Sequence, residues 1–241
     1  MTNLDENAKE RLIICLMGRE QLYSFLGRIY EREADELVIK ECVMRKELFL
    51  KCKLIEGINS DIVEGFMQLY EYFNEIDEKN LDEIMLGLAV DYANLFLGVK
   101  YFREKKGIPH PSESAYLSGS MLDKEDETAE FFLEAGFIKS PEFKEPYDHI
   151  ALQLYFMAHL CRKAISFIED GDLKNLLKNL QAQRAFLTEH LLKWVPRFAN
   201  DVIENSDTTF YKAIGRITRG FMSMEKDEID EIIKEAKKLL S

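Results

Sequence analysis

Breaks are scarce in this chain. Glycine and proline number 12 and 5 among 241 residues, about 7% against an average near 12%. That excludes a loop-rich build and predicts long elements. Four of the prolines (Pro109, Pro111, Pro141 and Pro146) fall in one stretch, leaving Pro196 alone outside it. No apolar run approaches the length of about 18 residues that a membrane span needs. The start, Met1-Thr2-Asn3-Leu4-Asp5-Glu6, lacks the basic and apolar regions of a secretory signal. Cysteine is sparse. Cys15, Cys42, Cys52 and Cys161 form no C-x-x-C pair and sit among helix formers. They read as buried thiols in a reducing compartment, not as a disulfide frame or zinc site. A glycine-rich phosphate loop, H-E-x-x-H and G-x-S-x-G are also missing. A cytoplasmic protein without metal or resident cofactor is the expectation.

Positive charge is the minority sign: 32 Lys and Arg stand against 44 Asp and Glu, for a net charge of −12. Such a surface repels nucleic acid and anionic lipid. It suits a cationic peptide or protein partner, and it also serves plain solubility.

What is present is helical periodicity. No strand-like alternation occurs with turn punctuation, so the expected fold is all-α, with about nine or ten helices in a single compact domain over 1–241. The first helix spans about Asp5 to Arg32, with Leu12, Leu16, Leu22, Phe25, Leu26 and Ile29 inward. A second helical region, Ala34 to Glu56, offers Leu37, Val38, Leu48 and Leu54 as candidate core. Gly57 ends it, and Ser60 can cap the next helix, whose stripe is Ile62, Phe66, Leu69, Tyr70 and Phe73. Asn80 starts another, with Leu81, Ile84, Leu88, Tyr92, Leu95 and Phe96 on one face. Spacing alone reads Tyr92, Leu95 and Phe96 as core packing. Glu125 to Ala135 forms a helix ended by Gly136. Asp172 caps a helix running to Trp194, which Pro196 interrupts. Asp207 caps one with Phe210, Ile214, Ile217 and Phe221, and a last helix covers Lys226 to Leu240.

Between these lies an irregular middle, Asp91 to His149, where a site is most readily built. Its loop from Gly98 to Pro111 carries Lys100, Arg103, Lys105 and Lys106. In Glu145-Pro146-Tyr147-Asp148-His149, proline suits the first position of a helix, which makes Glu145 the cap and Asp148 the third helical residue. The helix dipole disfavours a charged His149 while Asp148 favours one, and spacing leaves the balance open. Glu145 and His149 are four apart and could share a face as acid and base. No nucleophile is placed beside them, so the reading is not of an enzyme, and no catalytic residue is assigned.

Four motifs in order carry a resemblance. They are Tyr92-x-x-Leu95-Phe96-x-Gly98 after an acidic residue, Pro111-Ser112-Glu113-Ser114-Ala115-Tyr116, Glu145-Pro146-x-Asp148-His149, and His190-Leu191-x-x-Trp194-x-Pro196-x-Phe198 followed by Phe210-Tyr211. Together, over roughly residues 12–224, they resemble the TorD/DmsD/NarJ family of redox-enzyme maturation chaperones, most clearly its TorD-like branch. The family commonly has an aromatic residue where Ser112 stands, and the loop Val99 to Ile108 is longer and more basic than usual.

The resemblance implies a cytoplasmic, non-catalytic chaperone. It would bind the molybdopterin-containing catalytic subunit of an oxidoreductase through its twin-arginine leader, and hold it until cofactor insertion and export. Glu113, Glu145 and Asp148 would face the arginines; Tyr92, Leu95, Phe96 and Tyr116 would face the apolar segment; His149 would be a hydrogen-bond partner or a pH-sensitive element; Pro111 completes the peptide-binding set. The alternative is an adaptor that binds the mature apo-enzyme and ignores the leader. The resemblance also implies either a monomer or a dimer exchanging helical halves through a hinge at 136–148.

Overall fold

The structure is a computed structural model that describes residues 3–54, 56–76, 80–98, 108–117 and 121–239. Among the described residues there are nine α-helices and no strand. The all-α expectation is borne out. The basic segment Lys100 to Gly107 lies outside the described residues.

In order, the helices are α1 (Asn3–Glu31), α2 (Glu36–Arg45), α3 (Ser60–Asn74), α4 (Leu81–Phe96), α5 (Met121–Glu134), α6 (Ile150–Glu169), α7 (Leu173–Phe186), α8 (Leu192–Asn205) and α9 (Thr209–Lys238). A 3₁₀ segment, Lys46–Leu54, follows α2, and a single 3₁₀ turn occupies Glu113–Ala115. Among the described residues no helix is long and apolar enough to cross a membrane.

The chain divides into two compact units. The first holds residues 1–28, 112–193 and 225–241; the second holds 29–111 and 194–224. Residues 136–148 lie inside the first. Its core is aromatic where α5, α6 and α7 meet: Phe132, Phe156 and Phe186 are fully buried, with ring centroids 4.6 Å apart for Phe132–Phe156 and 4.7 Å for Phe156–Phe186. In the second unit α3 lies close against α9. A Cβ built on Gly65 would sit 2.6 Å from Ile217 Cγ1 and 2.8 Å from the Ala213 carbonyl. Only glycine permits that approach.

Several boundaries depart from the sequence reading. Asn59, not Ser60, caps α3: its Oδ1 accepts the Asp61 N–H at 2.8 Å. Helix α6 begins at Ile150 rather than Pro146. Its cap is His149, whose Nδ1 accepts the Ala151 N–H at 3.2 Å. Glu145 and Asp148 therefore lie outside the helix, and Glu145 and His149 share no helix face. Pro196 does not interrupt its helix but sits inside α8. A proline removes one ladder bond and crowds the carbonyl four residues back, here Leu192. The chain widens into a π turn at Leu187–Leu191 just before that point.

The two C-terminal helices are one, α9. No glycine or proline separates Ile214 from Ile233 except the helical Gly215 and Gly220. Thr208 rather than Asp207 stands before it, its hydroxyl oxygen accepting the Tyr211 N–H. In α2 and the following 3₁₀ segment the buried residues are Ile39, Cys42 and Cys52, whereas Leu37, Leu48 and Leu54 are exposed. The segment is 3₁₀ beyond Arg45, with three residues per turn instead of 3.6, so an α-helical stripe does not carry across it. All four cysteines are free thiols.

Candidate functional site

Nine side chains were singled out in the sequence, and they fall in both units. Glu113, Tyr116, Glu145, Asp148 and His149 belong to the first; Tyr92, Leu95, Phe96 and Pro111 belong to the second.

In the first unit the turn after Pro111 is stitched to the residues before α6. Ser112 and His149 form an isolated antiparallel bridge. The Glu113 N–H donates to the Asp148 carbonyl at 3.1 Å. The Ser114 N–H donates to Asp148 Oδ2 at 2.9 Å. Asp148 is fully buried. Its other oxygen, Oδ1, is buried without a hydrogen-bond partner, and so is Ser114 Oγ. A buried carboxylate oxygen left unpaired costs about 1–3 kcal/mol or more, so this half-satisfied acid stands out in the interior.

His149 is buried at 3% exposure. Its Nδ1 accepts an N–H from the helix start, so the imidazole serves as the cap of α6.

Glu113 does not face outward. It is fully buried, and both oxygens are engaged. Oε2 accepts from Gln153 Nε2 at 2.6 Å, and His190 Nδ1 lies 2.9 Å from Oε2 and 3.1 Å from Oε1. His190 stacks on Phe186 at 4.8 Å and meets the Phe131 edge at 5.2 Å. The carboxylate thus ties the 113–116 turn to α6 and to the π turn. The expected meeting of Glu113 with an arginine has no free oxygen to use. Gln153 and His190 went unassigned in the sequence. Gln153 offered a weak signal, four residues after His149; His190 sat in a recognised motif without a role.

Tyr116 is half-buried, its N–H donating to the Glu113 carbonyl at 2.9 Å. The Glu145 side chain is exposed. Among the described residues no group of three or more His, Cys, Asp or Glu side chains could hold a metal ion.

In the second unit Tyr92, Leu95 and Phe96 are buried. The Tyr92 hydroxyl donates to the Tyr30 carbonyl at 3.1 Å. Phe96 meets Tyr92 at 5.1 Å, Tyr30 at 5.7 Å and Tyr211 at 5.9 Å. Burial pushes the Tyr211 hydroxyl well above the usual tyrosine range, and the neighbouring Tyr92 and Asp91 add to it. Two of these side chains, Leu95 and Phe96, also line a cleft. It has a volume of about 270 Å³ and is lined by Leu95 to Gly98 and by Ile108, Pro109 and His110. Pro111 itself is buried. The acidic residue before Tyr92 is structural. Asp91 Oδ1 accepts the Asp207 N–H at 3.1 Å, and Oδ2 accepts the Thr208 N–H at 2.8 Å and hydroxyl at 2.6 Å. It fastens the start of α9.

Known proteins match this sequence. The family described as the nitrate reductase delta subunit matches residues 58–200, a span that includes every one of the nine residues. The chain is 33% identical to the chaperone protein TorD of Vibrio cholerae serotype O1 over 150 residues, 61% of this chain and 64% of that one. It is 32% identical to the chaperone protein TorD of Photobacterium profundum over 139 residues, 57% of this chain and 62% of that one. For that of Aliivibrio fischeri the figures are 28% over 141 residues, with 57% and 62% covered. The matches thus span less than two thirds of the curated relatives' length. The resemblance carried by the four motifs is borne out, and this chain belongs to the nitrate reductase delta subunit family, the TorD/NarJ family.

Proposed function

We propose that this protein is a cytoplasmic chaperone for a molybdopterin-containing oxidoreductase. It binds the apo catalytic subunit through its twin-arginine leader and holds it until cofactor insertion and export. That its relatives are chaperone proteins TorD supports the class. One observation carries the site: Asp148 keeps a buried carboxylate oxygen without a partner, beside a turn whose backbone is fastened to it. A guanidinium that parts Ser114 from Asp148 supplies charge-assisted donors to that oxygen. Glu145 gives a second, exposed carboxylate. Glu113 positions the turn from inside. Leu95 and Phe96 line the cleft that would take a leader's apolar run, with Tyr92 packed beside Phe96. His149 keeps the helix start in place.

Calorimetric titration with a synthetic twin-arginine leader tests this, against the same peptide with both arginines changed to alanine. The expected result is binding that the alanine peptide loses, and that Asp148→Ala weakens by about tenfold or more while the fold persists. Equal binding by both peptides, or by wild type and Asp148→Ala, rejects leader reading at this residue.

A second reading is an adaptor that grips the mature apo-enzyme and ignores the leader. The exposed apolar side chains Leu37, Met44, Leu48 and Leu54 favour it, at 51–82% exposure. Capture of a client from which the leader has been removed distinguishes the two.

A further inference from the structure

The loop between α5 and α6 contains a cation held by rings. Gly136 closes α5 with φ of 69°, a value glycine adopts at no steric penalty. The chain then turns at Ser140, whose carbonyl accepts the Phe143 N–H at 3.0 Å. Lys139 folds back across this turn. Its Nζ lies 4.5 Å from the Tyr147 ring centroid and 5.9 Å from that of Phe143, and it donates to the Glu145 carbonyl at 2.5 Å.

Both rings are held from behind. Tyr147 leans on Phe132 at 6.0 Å, and its N–H reaches Glu125 Oε1 at 3.3 Å. Phe143 meets the His149 ring at 5.6 Å. Among the described residues no carboxylate pairs with Lys139. The ammonium rests on π faces and one carbonyl. That combination takes an alkylammonium or, by planar stacking, a guanidinium. The cradle also lies on the residue next to Asp148.

We propose that this aromatic cage is a subsite for a cationic side chain of the bound peptide, and that Lys139 occupies it in the free protein as a tethered competitor. The inference rests on the peptide-binding reading above. A ligand arginine enters only during the fraction of time that Lys139 is out, so its apparent affinity is lowered by that fraction. Lys139 is half-buried, at the end of a flexible side chain on a surface loop. Leaving therefore requires no rearrangement of the core.

The test is Lys139→Met, which keeps the length of the side chain and removes its charge. Titrated with the twin-arginine leader, it binds about tenfold more tightly than wild type if the cage is closed about nine-tenths of the time. Lys139→Arg, still a tethered cation, shows no gain. In Lys139→Met/Tyr147→Leu the gain disappears. Unchanged or weaker binding by Lys139→Met overturns the proposal, as does a gain that survives Tyr147→Leu.

If neither wild type nor variant binds any leader, the leader reading fails and the cage is read by itself. N-acetyl-arginine methylamide then shifts the Tyr147 ring proton resonances of Lys139→Met and not those of wild type. No shift in Lys139→Met overturns the cage. Circular dichroism of each variant confirms that the helices are intact.

Discussion

In the unit built from residues 1–28, 112–193 and 225–241, the guanidinium of Arg19 is buried at 4% exposure. Both oxygens of Glu225 face it, at 2.7 Å from Nε and 2.6 Å from Nη2, and Gln183 Oε1 accepts from Nη1 at 2.7 Å. Tyr23 donates its hydroxyl to the same carboxylate. Burial works against the Arg19 charge, yet Glu225 outweighs it and raises the Arg19 pKa well above the usual value. Glu113, Gln153 and His190 make a second such network. Both units bury rings, but in the unit built from 29–111 and 194–224 the rings Tyr30, Phe73, Trp194, Phe198, Phe210 and Tyr211, all fully buried, stand without such a charged network beside them among the described residues. Its buried acid, Asp91, is spent on a helix start, and its prominent ion pair, Asp61–Arg219 at 2.7 Å, is partly solvated.

The difference teaches where each unit is fragile. A buried charged network fails when one member goes, because the partner left behind is uncompensated. A ring-packed interior tolerates changes of similar volume and fails where backbones approach most closely.

The comparison breaks most easily at Glu225. Glu225→Ala is expected to lower stability in urea unfolding by roughly 3–5 kcal/mol, and Arg19→Met/Glu225→Met to restore much of it. A single-variant loss under about 1 kcal/mol would place the first unit's stability elsewhere. Asp91→Ala comes next, at about 1.5–3 kcal/mol for charge-assisted bonds to the α9 start. Asp91→Asn keeps part of it, and hydrogen exchange at Asp207 and Thr208 reports the frayed end.

Gly65→Ala in the second unit should remove about 1–3 kcal/mol by forcing α3 from α9. Gly18→Ala in the first, with nothing within 4 Å of the added Cβ, should be neutral or slightly stabilising. Equal effects at the two glycines would erase the contrast in packing.

The smallest effect is the pH response of Asp61. Its hydrogen bonds to Arg219 hold its carboxyl below the ordinary value of 3.8. The folded state therefore binds this proton less readily than the unfolded chain. The stabilisation is complete above about pH 4–5 and is lost as pH falls through the depressed value. Partial exposure keeps it to about 1 kcal/mol or less. In acid unfolding, Asp61→Asn should lose this part of the slope. A variant with an unchanged slope assigns the acid response to other groups.

Helix existence was legible because burial follows a 3.6-residue period. The stripe from Leu88 through Tyr92, Leu95 and Phe96 is buried as its spacing predicted. The Gly136 stop was legible because few residues tolerate its backbone. The α6 start was not. Pro146 suits a first helical position, but the turn after Pro111 captures the Asp148 carbonyl and carboxylate, and that competition comes from 34 residues away. For the same reason Glu113 looked like an exposed acid in an irregular loop until Gln153 and His190 enclosed it. The division of Lys226 to Leu240 from α9 failed differently. An amphipathic pattern shows that a segment is helical without showing whether the preceding helix has ended.

The sequence by itself determined that the chain is helical, acidic and interrupted chiefly in its middle, and its four ordered motifs were enough to point to the family. These properties are local, set by backbone freedom and by the period at which apolar side chains recur. The tertiary structure alone decided which acids are free. Glu113 and Glu225 are sealed by partners distant in sequence, Asp148 is left half-paired, and Lys139 is drawn onto Tyr147. Whether a carboxylate or an ammonium is available depends on what folds against it, and no spacing along the chain encodes that.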